Sequence, residues 1–563
     1  MDGKNLVRKF DSMNQYALGN WKNLWQECAD WCLPTNDNIN RVRYGGLEKS
    51  PQRMIDTCIE ANYNFASGFY SHMFPPNSVW AKYRHPNPML MADEQVAYYF
   101  EQVSRVIHQI IVGSNFAQEQ FQALLCMGCF GTNCLTLEED DKEIVRFRNH
   151  IISDVRLEEN YLGEVDTVAR EFKLTLRQAI QKYGTEALTK AGFDQLEEQS
   201  KDYGSRKYTF IQFIMPRTDY VKGDKKNTQK PYASFHISRE KGTVILESGF
   251  DYNPYKVARF SKGNDEIYGR SPMSMILGTA RRTNIIYRSM VLSAEQRSNA
   301  QWLVPDDDSV TNISNRAGAI IKWRATNPNG KPERLQPAGD SNLAFEMYQV
   351  HEKQIKQMFF NHLFRPLEDY RNMTATEVNE RMTTDMMTLA PFVSRYLNEH
   401  VNPMMEHLYY IAQKRKLLPE VPQALANNPT YEIDYVGRLS MATKSFETMG
   451  AINTLRVFGE LASRDPNMQM SLQNVEPDKL FREIWYANSS SMNALKDPSK
   501  VMEEREAQFA MMQEQQMIKQ APALADAVQK VSGAVDPSSI ISQVEQGDIN
   551  FEQWWIEYSY RFV

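Results

Sequence analysis

The chain has 563 residues, of which 42% are hydrophobic and 11% aromatic, so it is rich enough in apolar residues for several packed domains and is not typical of a disordered protein. Its formal charge of −6 is not typical of proteins that bind nucleic acid tightly, which have a broad basic excess. Six cysteines in a chain of this length are too few for a fold held together by disulfides. No run has the apolar length of a secretory signal or of a membrane-spanning helix of about 18 residues, so we expect a protein that assembles from a cytosolic pool.

Residues 1 to about 130 have the apolar spacing of helices. The stretch 14–34 predicts a helix that stops at Pro34, and the stretch 54–76 predicts a second that ends at Pro75. A third helix is predicted between Asp93 as N-cap and Gly113, and a fourth follows at 117–133. The chain therefore begins with a helical region.

The period of the apolar pattern then changes from 3.6 to 2, which is typical of strands. Residues 133–150 alternate around an acidic turn at Glu138 to Asp141, which predicts a hairpin. Strand-like runs continue through 154–175 and 205–262, with a short helix at 176–184 between them. The predicted fold class is α+β, predominantly helical.

The segment 268–305 predicts a long cationic helix. Ser271 and Pro272 suit the N-cap and the first helical position, and the pattern runs to about Ala300, which is about 43 Å at 1.5 Å per residue. The segment holds five arginines against the single acidic residue Glu295.

A region rich in Pro, Gly and Asn follows at 301–340, with short strand-like runs. A second long helix is predicted from about Ser341, and Pro366 interrupts it. One face of this helix is predicted to be apolar and to comprise Met347, Val350, Ile355, Met358 and Leu363. A further helix is predicted from Thr374, because Thr374 and Glu377 form a capping-box pattern. Two long helices joined by a compact element leave apolar stripes that many copies packed around an axis would cover.

Catalytic motifs have little support in the sequence, which has no phosphate-binding loop, zinc-protease motif or nucleophile elbow. Cys126, Cys129 and Cys134 lack an evident fourth metal ligand, and their apolar surroundings favour buried thiols. His400 and His407, seven residues apart, are interpreted as structural. The acidic runs 138–141 and 306–308 are interpreted as solvated charge rather than as cation sites. We therefore expect neither an enzyme nor a cofactor.

The stretch NPYKVARFSKGNDEIYGRSP at 253–272, the long helix after it and TATEVNERM at 374–382 stand in an order that resembles one protein family. The chain resembles the portal, or head-to-tail connector, proteins of short-tailed bacteriophages. The resemblance implies a ring, typically of twelve subunits, at one vertex of the capsid. It also implies a division into wing (1–271), first stem helix (272–300), clip (301–340), second stem helix (341–362), tunnel loop (363–373), wing long helix and connection (374–435), and crown with C-terminal extension (436–563).

The same resemblance implies a function without catalysis. Such a ring is a virion component with no membrane contact, and double-stranded DNA passes through it during genome packaging and ejection. The implied partners are other copies of the chain, the major capsid protein and scaffold, the terminase large subunit, which supplies the energy, and tail adaptor or nozzle proteins. For the aromatic segment 551–563, packing within the crown and a separate barrel-like extension both stay open.

Three groups of residues are candidates for these roles. Within 341–372, four basic and four acidic side chains suit a wall that guides DNA without trapping it. The DNA channel candidates are Lys353, Lys356, Arg365 and Arg371, for which surface or intersubunit salt bridges are the alternative. Arg281, Arg282 and Arg288 are candidates for intersubunit or capsid contacts, with DNA or motor contact as the alternative. The candidates for docking partners on the clip are Trp302, Asp306, Asp307, Asp308 and Trp323.

The sequence is also compatible with two functions other than that of a portal. One is a nucleic-acid-processing enzyme with an unrecognised metal-carboxylate site, for which Asp306 to Asp308 are the candidate ligands. The other is a scaffold or adaptor protein that forms no ring. Annular particles with a central hole would separate the portal reading from both.

Overall fold

The computed structural model describes residues 2–36, 38–41, 53–91, 93–193, 207–217, 230–298, 302–304, 333–334, 341–364, 388–425 and 430–435. Its helices are α1 (Gly3–Leu18), α2 (Asn20–Cys32), α3 (Thr57–Met73), α4 (Pro88–Met91), α5 (Glu94–Val112), α6 (Phe116–Phe130), α7 (Leu176–Tyr183), α8 (Thr185–Lys190), α9 (Pro272–Ser298), α10 (Ser341–Met358), α11 (Asn361–Phe364), α12 (Ala390–Tyr396) and α13 (Asn402–Lys414). Its strands are β1 (Ala81–Arg84), β2 (Thr132–Asp140), β3 (Ile144–His150), β4 (Val155–Glu159), β5 (Val165–Thr175), β6 (Lys207–Pro216), β7 (Tyr232–Ser238), β8 (Thr243–Phe250), β9 (Tyr255–Arg259), β10 (Ser261–Lys262), β11 (Gly269–Arg270), β12 (Trp302–Leu303), β13 (Glu333–Arg334) and β14 (Glu432–Tyr435). Helices and sheets both form the described part of the chain, which confirms the α+β class.

The predicted helices of the N-terminal region are confirmed, with one difference. The stretch predicted as a single helix up to Pro34 is divided at Gly19, whose backbone leaves the helical region, so α1 and α2 are separate helices. The Asp93 side chain accepts a hydrogen bond of 2.9 Å from the Gln95 N–H and caps α5, as predicted. Gly113 ends this helix.

Two antiparallel sheets follow the helical region. The strand order is β3-β2-β9 in one sheet and β4-β5-β6-β7-β8 in the other. The predicted hairpin is confirmed as β2 and β3, but Glu138 and Asp140 lie in β2 and the turn comprises residues 141–143. The turn falls later than the acidic run suggested because Glu138 pairs directly with Arg146 across the strands.

The five-stranded sheet is covered by helices on both faces. Because successive side chains of a strand point to opposite faces, each face has its own apolar cluster. Phe213 of β6 packs with Phe10 of α1 on one face, at a ring-centroid separation of 6.3 Å. Phe210, three residues earlier in the strand, packs on the other face with Leu176 of α7 and Leu188 of α8. The sheet therefore forms a three-layer unit with helices outside.

The largest core joins the N-terminal helices, the three-stranded sheet, the base of α9 and the helices α12 and α13. Phe65 and Phe69 of α3 contact Phe392 of α12, at ring-centroid distances of 6.2 and 5.1 Å. Between α12 and α13 the helix widens into a π turn at Leu397–Val401. This core fixes the origin of the long helix α9.

Candidate functional site

The four residues 268–271 join the body to helix α9, and each has a separate structural role. Tyr268 is buried against the indole rings of Trp21 and Trp25, with centroid distances of 5.6 and 5.0 Å. A Cβ at Gly269 would lie 2.2 Å from the carbonyl oxygen of Gly131, so no other residue fits this close approach. Arg270 lies over the Trp21 ring at 4.8 Å. This stretch, which carried the resemblance, is therefore a packed joint.

Ser271 begins α9 as predicted. Its hydroxyl oxygen accepts a hydrogen bond of 2.9 Å from the Ser274 N–H, and the Ser274 hydroxyl accepts one of 2.9 Å from the Ser271 N–H. This reciprocal pair resembles a capping box, with serine in place of Glu or Gln. Helix α9 has 27 residues and spans about 40 Å, close to the prediction.

Helices α9 and α10 pack against each other and form what we call the two-helix arm. Tyr287 of α9 and Tyr348 of α10 lie 5.8 Å apart between ring centroids. The base of the arm is buried, since Leu277 and Ile355 are 7% and 0% exposed. The far half is not covered: the exposed apolar side chains there are Ile285, Val291, Leu292, Leu343, Phe345, Met347 and Val350.

This exposure corrects part of the face predicted for α10. Ile355 and Leu363 are buried and Met358 packs against the core, but Met347 and Val350 on the same predicted face are exposed. The helix also ends earlier than predicted, at Met358 rather than near residue 362. Phe360 adopts a φ of 57°, in the left-handed region, and begins the break.

The three arginine candidates of α9 have different surroundings. Arg281 forms a bidentate ion pair with Glu27 of α2, with both N–O distances at 2.5 Å, so its charge is matched within the chain. Arg282 is exposed and donates a hydrogen bond of 3.1 Å to the Thr279 hydroxyl of its own helix. Arg288 is exposed as well. Within the described residues neither Arg282 nor Arg288 forms an ion pair.

The channel candidates on α10 differ in the same way. Lys356 forms an ion pair with Glu352 at 2.7 Å and lies 3.9 Å from Glu60. Burial lowers the pKa of Lys356, but these carboxylates outweigh it, so the pKa is raised overall. Lys353 is exposed and, in the part of the chain that the structure describes, has no carboxylate partner. Arg365 and Arg371 lie outside the described residues.

Little of the predicted clip is described. Trp302 is half-buried in β12, where it pairs with Arg334 of β13. Asp306, Asp307, Asp308 and Trp323 lie outside the described residues, as do Thr374 and Glu377.

The cysteine and histidine residues considered for metal or redox chemistry are buried, whereas Glu138, Glu139 and Asp141 of the acidic run are exposed. All six cysteines are free and buried, and burial raises the pKa of the Cys126 thiol to about 11. Burial also lowers the pKa of His400 and of His407 to about 3. Among the described residues, no group of three or more His, Cys, Asp or Glu side chains is placed to hold a metal ion. In the same part of the chain no helix is long and apolar enough to cross a membrane.

Sequence reasoning missed a buried ionic cluster around Arg259. This residue ends β9 with a side chain that is 3% exposed, and it pairs with Glu159 of β4 and with Glu399 of the π turn, the latter at 2.7 Å. It also donates to the Gly163 carbonyl oxygen at 3.0 Å. Lys262 contributes a second cation, 2.8 Å from Glu159. The cluster ties the two sheets and helix α12–α13 together at one point.

Comparison with known proteins gives consistent matches along the chain. A family model described as bacteriophage head to tail connecting protein matches residues 5–495. The portal protein of Salmonella phage epsilon15 is 22% identical over 534 residues, which cover 92% of this chain and 93% of that protein. A protein of Bordetella phage BPP-1 named as a probable portal protein is 24% identical over 536 residues, with 92% and 93% coverage.

Proposed function

The chain belongs to the bacteriophage head-to-tail connecting protein family, and we propose that its copies close into a ring at one capsid vertex, through which double-stranded DNA is packaged and ejected. The family is one of structural connectors that are virion components, so the proposal concerns the assembly and its channel. Twelve subunits are the expected number. The ring is also expected to dock the terminase large subunit and later the tail adaptor or nozzle proteins.

The observation that carries this proposal is the uncovered half of the two-helix arm. Ile285 and Val350 are 64% and 55% exposed although they stand on helices with regular apolar spacing. Monomeric proteins rarely leave such groups of apolar side chains in water, and larger ones mark surfaces of association. Heterologous contacts that close on themselves produce rings. A ring of arms would cover these side chains and enclose a hole.

The domain roles follow the same proposal. The body formed by 1–271 and 374–435 would be the wing, the arm would be the stem, and 301–340 would be the clip that contacts terminase and tail proteins. The tunnel loop, which is described only at residues 363 and 364, and the crown at 436–563 complete the assignment outside the described residues.

The ring is tested by the particles that the purified full-length chain forms. We expect annular particles with a central hole in negative-stain images, and a mass of many subunits by mass photometry. The double variant Leu343→Asp, Val350→Asp should fold but lose the rings, because charged side chains would replace the exposed apolar ones. Met89→Asp, at an 85% exposed position in the body, is the matched control. Single protomers of the unaltered chain at all concentrations would contradict the ring.

The channel is tested separately in particles. Lys353→Ala combined with Arg365→Ala and Arg371→Ala removes the candidate belt of positive charge and should impair packaging or genome retention. Lys356→Ala is expected to have a smaller effect on packaging and retention, since Glu352 already neutralises the charge of Lys356. Arg105→Ala, which removes a surface ion pair with Glu101, is the control. Unchanged packaging and retention in the triple variant would remove these residues from the channel wall.

A further inference from the structure

The turn between β4 and β5 presents two apolar side chains to solvent. Tyr161 is 95% exposed, the largest fraction among the large apolar side chains of the described residues, and Leu162 is 64% exposed. A single exposed apolar residue is ordinary. Two adjacent ones at the tip of a well-ordered turn form a protruding contact, which we call the β4–β5 tip (residues 160–164).

The β4–β5 tip is held rigidly. The side-chain oxygen of Asn160 accepts hydrogen bonds of 2.9 Å from the N–H groups of Leu162 and Glu164. Gly163 adopts a φ of 80°, and its carbonyl oxygen receives the hydrogen bond from buried Arg259. A preorganised tip loses little conformational entropy on binding. Tyrosines in such positions are frequent centres of protein interfaces.

The rim of the tip is acidic. Four acidic residues flank Tyr161 in sequence. Glu159 is paired with Arg259 and Lys262, and Glu158 with Lys9 at 2.6 Å, whereas Glu164 and Asp166 form no ion pair among the described residues. A complementary partner therefore has an apolar seat flanked by positive charge.

Helix α9 contains such a seat. Met275, Gly278, Arg282 and Ile285 follow one another at spacings of three and four residues and share one helix face. Met275 and Ile285 are 49% and 64% exposed, and a Cβ at Gly278 would meet no atom within 4 Å, so the face has an open notch between them. Arg282 and Arg288 supply positive charge without an ion-pair partner in the described part of the chain. We call this face the α9 seat.

We propose that the β4–β5 tip of one copy docks on the α9 seat of a neighbouring copy, with Tyr161 over Gly278 and Glu164 beside Arg282. The inference rests on the proposed ring. The tip and the seat are different surfaces of the chain, so the contact is head-to-tail, and each copy gives one tip and receives another. This contact assigns to Arg282 the intersubunit role for which it is a candidate.

Cross-linking tests the pairing directly. Because all six native cysteines are buried, a bismaleimide should react only at introduced cysteines in the folded ring. The double variant Leu162→Cys, Ile285→Cys should give a ladder of covalent multimers, whereas a mixture of the two single variants should stop at dimers. The matched control pairs Leu162→Cys with Val112→Cys, which is 56% exposed on α5. Rings of the double variant that cross-link no more than this control would overturn the contact.

Charge reversal provides an independent measurement. Glu164→Arg and Arg282→Glu should each raise the protomer concentration needed for rings by about tenfold, and the double variant should recover most of that loss. Glu164→Gln retains the acceptor for Asn160 and separates loss of charge from loss of the turn. Normal ring formation by both single reversals would overturn the contact.

Two outcomes separate this inference from its premise. If the unaltered chain forms no rings, the proposed function fails, and the contact fails with it. If Tyr161→Ser leaves ring formation normal but prevents the ring from entering capsids, the tip binds another capsid component, and contact between copies is overturned while the ring stands.

Discussion

In the body, helices bury their apolar faces within one chain, whereas the two-helix arm keeps many of its apolar side chains in water. Phe65 and Tyr396 of the body are completely buried, while Ile285 and Val350 of the arm are more than half exposed. Helices of both regions have apolar side chains on one face. The two regions differ in whether other parts of the same chain cover that face. The comparison indicates that the protomer's stability resides in the body, whereas the apolar side chains that the arm exposes are those that the proposed ring would cover.

The largest effect is expected from the buried ionic cluster of the body. Arg259→Met leaves Glu159 and Glu399 without their main cation, and breaking a buried ion pair in this way costs about 3–5 kcal/mol. Urea unfolding of the protomer should show this loss. Arg288→Met on the exposed arm should change stability by less than about 0.5 kcal/mol. Equal unfolding midpoints for the two variants would contradict the comparison.

A single helix contains both kinds of position, five residues apart. Ile355→Ala at the buried base of α10 should lower the free energy of unfolding by about 2–4 kcal/mol because it opens a cavity. Val350→Ala, at a 55% exposed site, should leave the protomer within about 0.5 kcal/mol and should weaken ring formation instead. The two assays, unfolding of protomers and assembly of rings, should therefore rank these variants in opposite order.

The buried histidines of the body predict a pH effect. Burial lowers the pKa of His400 and His407 to about 3, whereas the unfolded chain binds protons near pH 6.5. Between these values the unfolded state binds more protons, so stability falls as the pH falls below 6.5, by about 1.4 kcal/mol per pH unit for each histidine. His407→Gln should reduce this slope by one histidine's contribution. A slope that is unchanged in unfolding measured between pH 6.5 and pH 4 would contradict it.

The smallest effect is expected where the two regions meet. The Arg281 and Glu27 side chains are 54% and 33% exposed, so their pair should contribute about 0.2–1 kcal/mol. A double-mutant cycle with Arg281→Ala and Glu27→Ala measures this coupling, which should decrease at high salt. A coupling of several kcal/mol would contradict the view that the contact between body and arm contributes little to the stability of the protomer.

The sequence predicted elements where local signals agree. Ser271 and Pro272 marked the start of α9, and Asp93 marked the start of α5, because capping chemistry is local. It did not predict the division at Gly19, since the apolar spacing continues across that residue. It also gave no sign of how far along α10 the core would extend.

The roles of the candidate site residues were harder to predict, because their partners are distant in the sequence. Lys353 and Lys356 are equivalent in the helix pattern, and only the position of Glu60 on α3 and the geometry of Glu352 distinguish them. Arg259 has no local signal, since Glu159 and Glu399 lie 100 and 140 residues away. The resemblance identified the stretch at 268–271 but not the packing that each of its residues provides.

The π turn at Leu397–Val401 sets the rotational phase of two helical segments. One additional residue in a turn rotates everything beyond it by about 100°. Tyr396 before the turn therefore points to Gln120, while after it the Met405 carbonyl oxygen accepts a hydrogen bond of 2.9 Å from Tyr83. Deleting one residue here would therefore rotate every later side chain of this helix away from its partners, even if Glu399 and its ion pair with Arg259 were kept.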